Sequence, residues 1–336
     1  MRGYELYVLP DGGAEQEPAE WWEAMCASTR EVLDASGMDG AISGVSFCSQ
    51  MQGVVLVDKD GEPVRRAMSY MDQRAREELK KGLAHGPQIA GANVFKLLKS
   101  LQITGAVAAS VKDPVWKYKW VQAHEPENFK RVHKWLDVKE FLICKMTGEF
   151  VMTQDSAFAA LIYDIRKGKE GWSREMCDML GVNMNHLAPI KQSTDKVGEI
   201  TEKAASELGL KAGTAVFGGG GDASLIGVGA GSTALGDTHI YCGTSGWVST
   251  VVDKSIVDAS AMVAAIVGAQ PERFNYFAEL ETAGKCLEWV KDHLALDEID
   301  IYLEKKHVAE CKRRFILAFT TIWRRSSAKC RQAQTA

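Results

Sequence analysis

Thr214-Ala-Val-Phe217-Gly218-Gly-Gly-Gly221-Asp222 runs from a β-prone segment through four glycines into a carboxylate. Glycines after a strand free the backbone for positive φ and for close approach to a ligand. The carboxylate of Asp222 then falls at the C-terminal end of a strand, where α/β folds hold their ligands. An Asp there can take a proton from an attacking hydroxyl within hydrogen-bond reach. It can equally cap the helix predicted over Ala223–Ala230. The residues alone leave both readings open.

Downstream, a strand is predicted over Thr238–Cys242, ending in Gly243-Thr244-Ser245-Gly246. Backbone N–H groups in such a turn can form an anion-binding concavity, although most such turns are plain hairpins. Upstream, Pro18 and nearby acids open a helix expected to run to Ser36 and stop at Gly37. Strands are expected over Ala41–Phe47 and Gly53–Asp58, with a hairpin-type turn at Lys59-Asp60-Gly61. Helical patterns follow at Asp72–Lys81, Val94–Leu101, Val115–Ala123, Val138–Met146 and Ser173–Leu180. A strand over Val263–Val267 and a helix over Leu280–His293 complete the pattern, and the alternation of strands and helices makes the chain α/β.

Ser49-Gln50-Met51-Gln52-Gly53 lies between two strands. The amides of Gln50 and Gln52 suit a polyhydroxylated ligand, and they also suit an ordinary polar turn. Asp72 and Arg74 read as a helix N-cap with a surface salt bridge. Lys117 and Trp120 read as part of an amphipathic helix whose aromatics are core. His124 and His133 show no ligand spacing. The sequence contains no GxxxxGK[ST] and no HExxH, and Gly227-Val-Gly229-Ala-Gly231-Ser232 breaks GxGxxG at its last glycine, which disfavours a dinucleotide-dependent oxidoreductase.

At 336 residues the chain has room for about two domains. Its formal charge of −4 disfavours a nucleic-acid partner. The longest apolar stretch, Ala261 to Ala269, is far short of the ~20 residues that span a bilayer. Eight scattered cysteines with no CxxC pair argue against a zinc site or a disulfide framework and for a cytoplasmic protein. Residues 311–336 hold seven basic residues and no acidic one, so the remaining 33 basic and 44 acidic residues leave −11 elsewhere. Such a basic tail reads as an arm for an anionic partner, an ordinary basic helix, or a segment foreign to the fold; the last is favoured.

The order of these pieces resembles the FGGY family of carbohydrate kinases, nearest its xylulose kinase-like branch, over roughly residues 9 to 300. The matching segments are Glu15-Gln16-Glu17-Pro18 with Trp21-Trp22, then Ser49–Gly53, Asp58…Gly61-Glu62-Pro63, and Asp72-Gln73-Arg74. They continue through Pro114-x-x-Lys117-x-x-Trp120 with Glu125-Pro126, Gly219-Gly-Gly-Asp222-Ala, and Gly243-Thr244-Ser245-Gly246. Gln52 stands where His is usual and Tyr70 where Trp is usual, and both departures bear on substrate identity.

The resemblance implies an actin/hexokinase-like (ribonuclease H-like) ATPase fold and phosphoryl transfer from ATP, with Mg²⁺, to a hydroxyl of a sugar or polyol, a xylulose-like ketose first. Asp222 matches the general base. Met51 and Gln52, with Gln50 and Asp222, match sugar-contacting positions; Gly243 and Thr244 match a nucleotide-phosphate turn, and no residue is assigned to a metal. It also implies a nearly complete sugar-binding domain over 1–234, lacking its first strand, the start of a nucleotide-binding domain over 235–310, and the tail over 311–336. Family members open with an Asp-x-Gly-Thr-type turn, so the chain is expected to be truncated at both ends. Val251–His307 is then expected to pack poorly or to need a partner, and a homodimer is one such arrangement. The competing expectation is an impaired, truncated relative that only binds sugar or a partner.

Overall fold

Pro18 starts the first helix and Gly37 ends it, so the helix spans Pro18–Ser36 as its punctuation predicts. Gly37 adopts φ +62° and its N–H reaches Leu33 O at 2.9 Å, the left-handed cap that a Cβ would penalise. One face buries Trp21, Trp22 and Leu33 and packs on the helix Glu202–Leu208. This computed structural model describes residues 2–280 except 39, 85–86, 90–91, 244–245, 256 and 259–262, and further describes 282–290 and 293. Thr244 and the 311–336 tail therefore lie outside the described residues.

The strand expected over Ala41–Phe47 is instead two short pieces, Gly44–Val45 and Cys48–Ser49. They pair in parallel with Ala215–Phe217 and Gly220–Gly221 respectively. The break has a local cause: Gly219 between those partners turns to φ +65°, and Phe47 faces it. Lys196–Glu199 pairs antiparallel on the other edge of Ala215–Phe217.

Val55–Val57 pairs antiparallel with Lys134–Leu136 and is buried on both faces, which explains its unbroken apolar run. The turn after it forms as expected, with Gly61 at φ +79° and the Asp58 N–H on Glu62 O at 2.9 Å. The helix Pro114–His124 is not amphipathic. Val115, Trp116, Lys117, Tyr118 and Val121 are all buried, and at 100° per residue they surround the axis. The helix expected from Asp72 begins only at Arg76, because Asp72 is drawn into a buried ion network.

Near the C-terminus, Val263–Val267 forms the expected strand. It belongs to a five-stranded sheet that also contains Thr238–Cys242, Gly246–Val252, Phe274–Leu280 and Val257–Asp258. Leu280 ends a strand rather than opening a helix, and the helix is Gly284–Val290. Two units emerge: residues 1–240 with 248–278, and a second whose described residues are 241–243, 246–247, 279–280, 282–290 and 293. Val267 joins the core around Trp21, Val55 and Phe141, with Ile266 and Phe274 packed against it, so this part of the 251–307 segment is packed; residues 294–307 lie outside the described residues. Among the described residues no helix is long and apolar enough to cross a membrane.

Candidate functional site

Asp222 is the first residue of the helix Asp222–Gly229 and is half-buried. Its Oδ1 accepts the Ala223 N–H at 2.8 Å, and no other residue among those described donates to Oδ2. The side chain thus braces the first turn and still leaves one oxygen open. Burial pushes this carboxyl up from its ordinary value; the Ala223 and Asp222 N–H groups and the Lys139 ammonium counter this only in part.

The glycines before it are there for close contact. A Cβ on Gly219 would lie 2.3 Å from Phe47 O, at a φ that already disfavours any side chain. A Cβ on Gly221 would lie 2.0 Å from Met51 Cγ. Met51 therefore rests on the residue immediately before Asp222, and two of the expected site residues are brought together.

Gln52 is one of few non-glycine residues with positive φ, at +62°, a conformation that costs roughly 1–2 kcal/mol. Asp137 holds it there: Oδ2 accepts the Gln52 N–H at 2.9 Å and Oδ1 the Gly53 N–H at 2.8 Å. The Gln52 side-chain amide makes no hydrogen bond among the described residues and is open to a ligand. Gln50 differs, since its Nε2 donates to Gln16 Oε1 at 2.7 Å, so its amide is already partly engaged.

Behind the glycine run lies a buried charge cluster that the sequence reading did not find. Lys139 donates to Glu140 Oε1 at 2.8 Å and to Ser156 Oγ, and lies 3.4 Å from Asp155 Oδ1. Burial alone would raise the Asp155 carboxyl, but Lys139, the Thr153 hydroxyl and the Gly221 N–H hold it below the usual range. Burial would likewise lower Lys139, and Asp155, Glu140 and Asp137 more than reverse this. The available signal was a pair of charges, Lys139-Glu140, in a helix that is otherwise apolar as far as Cys144.

The Asp72–Arg74 pair is not a surface salt bridge. Arg74 Nη2 donates to Asp72 Oδ2 at 2.8 Å and to Glu15 Oε1 at 2.6 Å, and all three side chains are buried. Arg65 reaches the same Glu15 oxygen and also Glu125, at 2.9 Å. The Arg74 guanidinium lies 4.3 Å from the Trp120 ring centre, within cation–π range. Residues from three separated motifs, those of Glu15, of Asp72-Arg74, and of Trp120 with Glu125, thus meet in one network.

Gly243 belongs to the second unit. Its carbonyl accepts the Gly284 N–H at 2.7 Å, and a Cβ on Gly284 would lie 2.3 Å from that oxygen. Thr244, its expected partner in phosphate contact, lies outside the described residues. Among the described residues no group of three or more His, Cys, Asp or Glu could hold a metal ion.

A half-buried carboxylate at a strand end, a glycine floor and a braced polar loop beside it make up the candidate site. The chain belongs to the FGGY family of carbohydrate kinases: the family's N-terminal domain model matches residues 2–229. A xylulose kinase of Staphylococcus xylosus is 27% identical over 290 residues, covering 85% of this chain and 57% of that protein. A xylulose kinase of Bacillus subtilis is 27% identical over 296 residues, covering 88% and 57%. The crystal structure of a ligand-bound xylulose kinase from Lactobacillus acidophilus superposes with a TM-score of 0.77 at 23% identity, covering 88% of this chain and 58% of that one. The fold is accordingly the actin/hexokinase-like one. The chain spans little more than half the length of the curated relatives it matches.

Proposed function

We propose that the chain carries the sugar-binding part of a carbohydrate kinase that transfers the γ-phosphoryl group of ATP to a hydroxyl of a sugar or polyol, a xylulose-like ketose first. The observation that carries this reading is the open Oδ2 of Asp222, with Met51 packed on Gly221 beside it. In this reading Asp222 takes the proton of the attacking hydroxyl, while Met51 and Gln52 contact the sugar and Gln50 shapes their loop. A raised carboxyl is a stronger base for that step than an ordinary Asp. In this reading residues 1–234 correspond to the sugar domain and 235–310 to the start of a nucleotide domain.

Phosphoryl transfer depends chiefly on positioning and charge neutralisation. Magnesium arriving with ATP is held largely by the nucleotide's own phosphates, so it needs no dedicated cluster of carboxylates, and Asp222 keeps its oxygen for the hydroxyl. When bound, Mg²⁺-ATP supplies the phosphoryl group and offsets its charge; the turn at Gly243 and Thr244 would hold its phosphates.

Titrating a panel of ketoses and polyols into the purified chain by calorimetry tests the reading. Xylulose-like ketoses should bind, and Met51→Ala and Gln52→Ala should weaken them at least tenfold. Equal heats for the variants and the parent would refute the assignment of this loop. Sugar binding without phosphoryl transfer would instead favour a chain that only binds.

A further inference from the structure

The Pro114-x-x-Lys117-x-x-Trp120 segment places a lysine where the helix otherwise buries aromatic and aliphatic side chains. Lys117 is 0% exposed, yet its ammonium makes two well-formed bonds to separate loops. It donates to Gln52 O at 2.7 Å and to Ser69 O at 2.9 Å. Three carboxylates face it: Asp113 from the start of its own helix, Asp72 from the segment after Ser69, and Asp137 from the start of the helix Val138–Thr147. Asp72 is itself paired with Arg74, and Asp137 is turned to the Gln52, Gly53 and Val138 N–H groups.

The Gln52 peptide is therefore gripped from both ends, its N–H by a carboxylate and its C=O by an ammonium. This grip coincides with the left-handed φ of Gln52, a conformation that persists only where its surroundings over-determine it. A buried amine aimed at backbone oxygens, rather than at a carboxylate, is a costly way to fill a core. Its evident use is to hold two loops together.

We propose that Lys117 is a positioning residue: it locks the Gln52 backbone and ties that loop to Ser69, so that the Gln52 side chain is presented to the sugar. The part about the sugar rests on the functional reading above; the part about the loop does not. Burial holds the Lys117 ammonium down to about 8, against the opposing pull of Asp137, Asp72 and Asp113. Above that pH the amine is neutral and its grip on both carbonyls weakens.

Amide hydrogen exchange on the whole chain tests the loop directly. In Lys117→Met, the Gln52 and Gly53 amides should exchange at least tenfold faster at pH 7, with those of Val55 and Leu56 unchanged. In the parent chain, after correction for intrinsic rates, the same two amides should lose protection between pH 7 and 9. Ketose affinity should fall at least tenfold in the variant, and in the parent alone as the pH rises. Unchanged protection of Gln52 and Gly53 in both arms overturns the proposal, as does a loss spread evenly over the core. Should Lys117→Met not fold, the parent's pH arm decides alone. A parent chain that binds no ketose refutes the functional reading, and exchange at Gln52 and Gly53 still decides the role of Lys117.

Discussion

Asp155 Oδ2 accepts the Gly221 N–H at 2.7 Å, so a fully buried carboxylate fixes the peptide immediately ahead of Asp222. Through Lys139 the same carboxylate is tied to Glu140, and Glu140 Oε1 accepts the Thr153 N–H at 3.1 Å. The open oxygen of Asp222 is thus backed by a charge-assisted network in which each member is held by its neighbours.

Asp155→Ala should remove the Gly221 anchor and leave Glu140 as the one carboxylate paired with Lys139, beside the Ser156 hydroxyl. Breaking a buried ion pair from one side costs about 3–5 kcal/mol, readable as a lower urea midpoint at pH 7. The pH sign follows from the depressed carboxyl in the fold. Its contribution is fully present above the unfolded value of about 3.9 and is lost as pH falls through the folded one. Asp155→Asn should therefore flatten the acid limb of the stability curve, and an unchanged limb would count against the network.

Asp222→Asn should leave stability nearly unchanged and lower phosphoryl transfer by about 10²–10⁴, the usual range for loss of a general base. Because burial raises this carboxyl, the parent's rate should fall with acid at a pH above the ordinary Asp value. A pH–rate profile flat across that region would contradict the assignment.

Gly219→Ala and Gly221→Ala should separate folding from binding. The first forces a Cβ to 2.3 Å from the Phe47 carbonyl at left-handed φ, and should cost more than ~1 kcal/mol. The second meets only the flexible Met51 side chain, so it should displace Met51 and weaken ketose binding with a smaller change in thermal midpoint. Equal effects on both quantities from both variants would contradict this division.

Glu15→Ala should leave the guanidinium groups of Arg65 and Arg74 short of a buried partner. A loss of about 3–5 kcal/mol is expected, larger than for any exposed pair such as Lys80–Glu77. Chemical denaturation of Glu15→Ala and Glu77→Ala side by side checks the contrast.

Local punctuation carried well from sequence to structure. Pro18 and Gly37 bound the first helix, Gly61 turns the hairpin, and Val263–Val267 is a strand as read. The glycine run into Asp222 was equally plain, because glycine density before a carboxylate is a local signal. What was hidden depends on partners far along the chain. Arg74 looks like a surface residue until Glu15, 59 positions away, is placed beside it. Lys117 looks like one polar residue on an amphipathic helix until Gln52, 65 positions away, and Ser69 supply its acceptors. Leu280 joins a strand because Phe274–Leu280 finds sheet neighbours that no helical periodicity reveals.

Ketose-dependent ADP release by the purified, folded chain, measured beside Asp222→Asn, tests the central claim most directly. The account predicts turnover with a xylulose-like ketose that vanishes in the variant. A folded chain that releases no ADP with any ketose or polyol, or whose turnover survives the substitution, would contradict it.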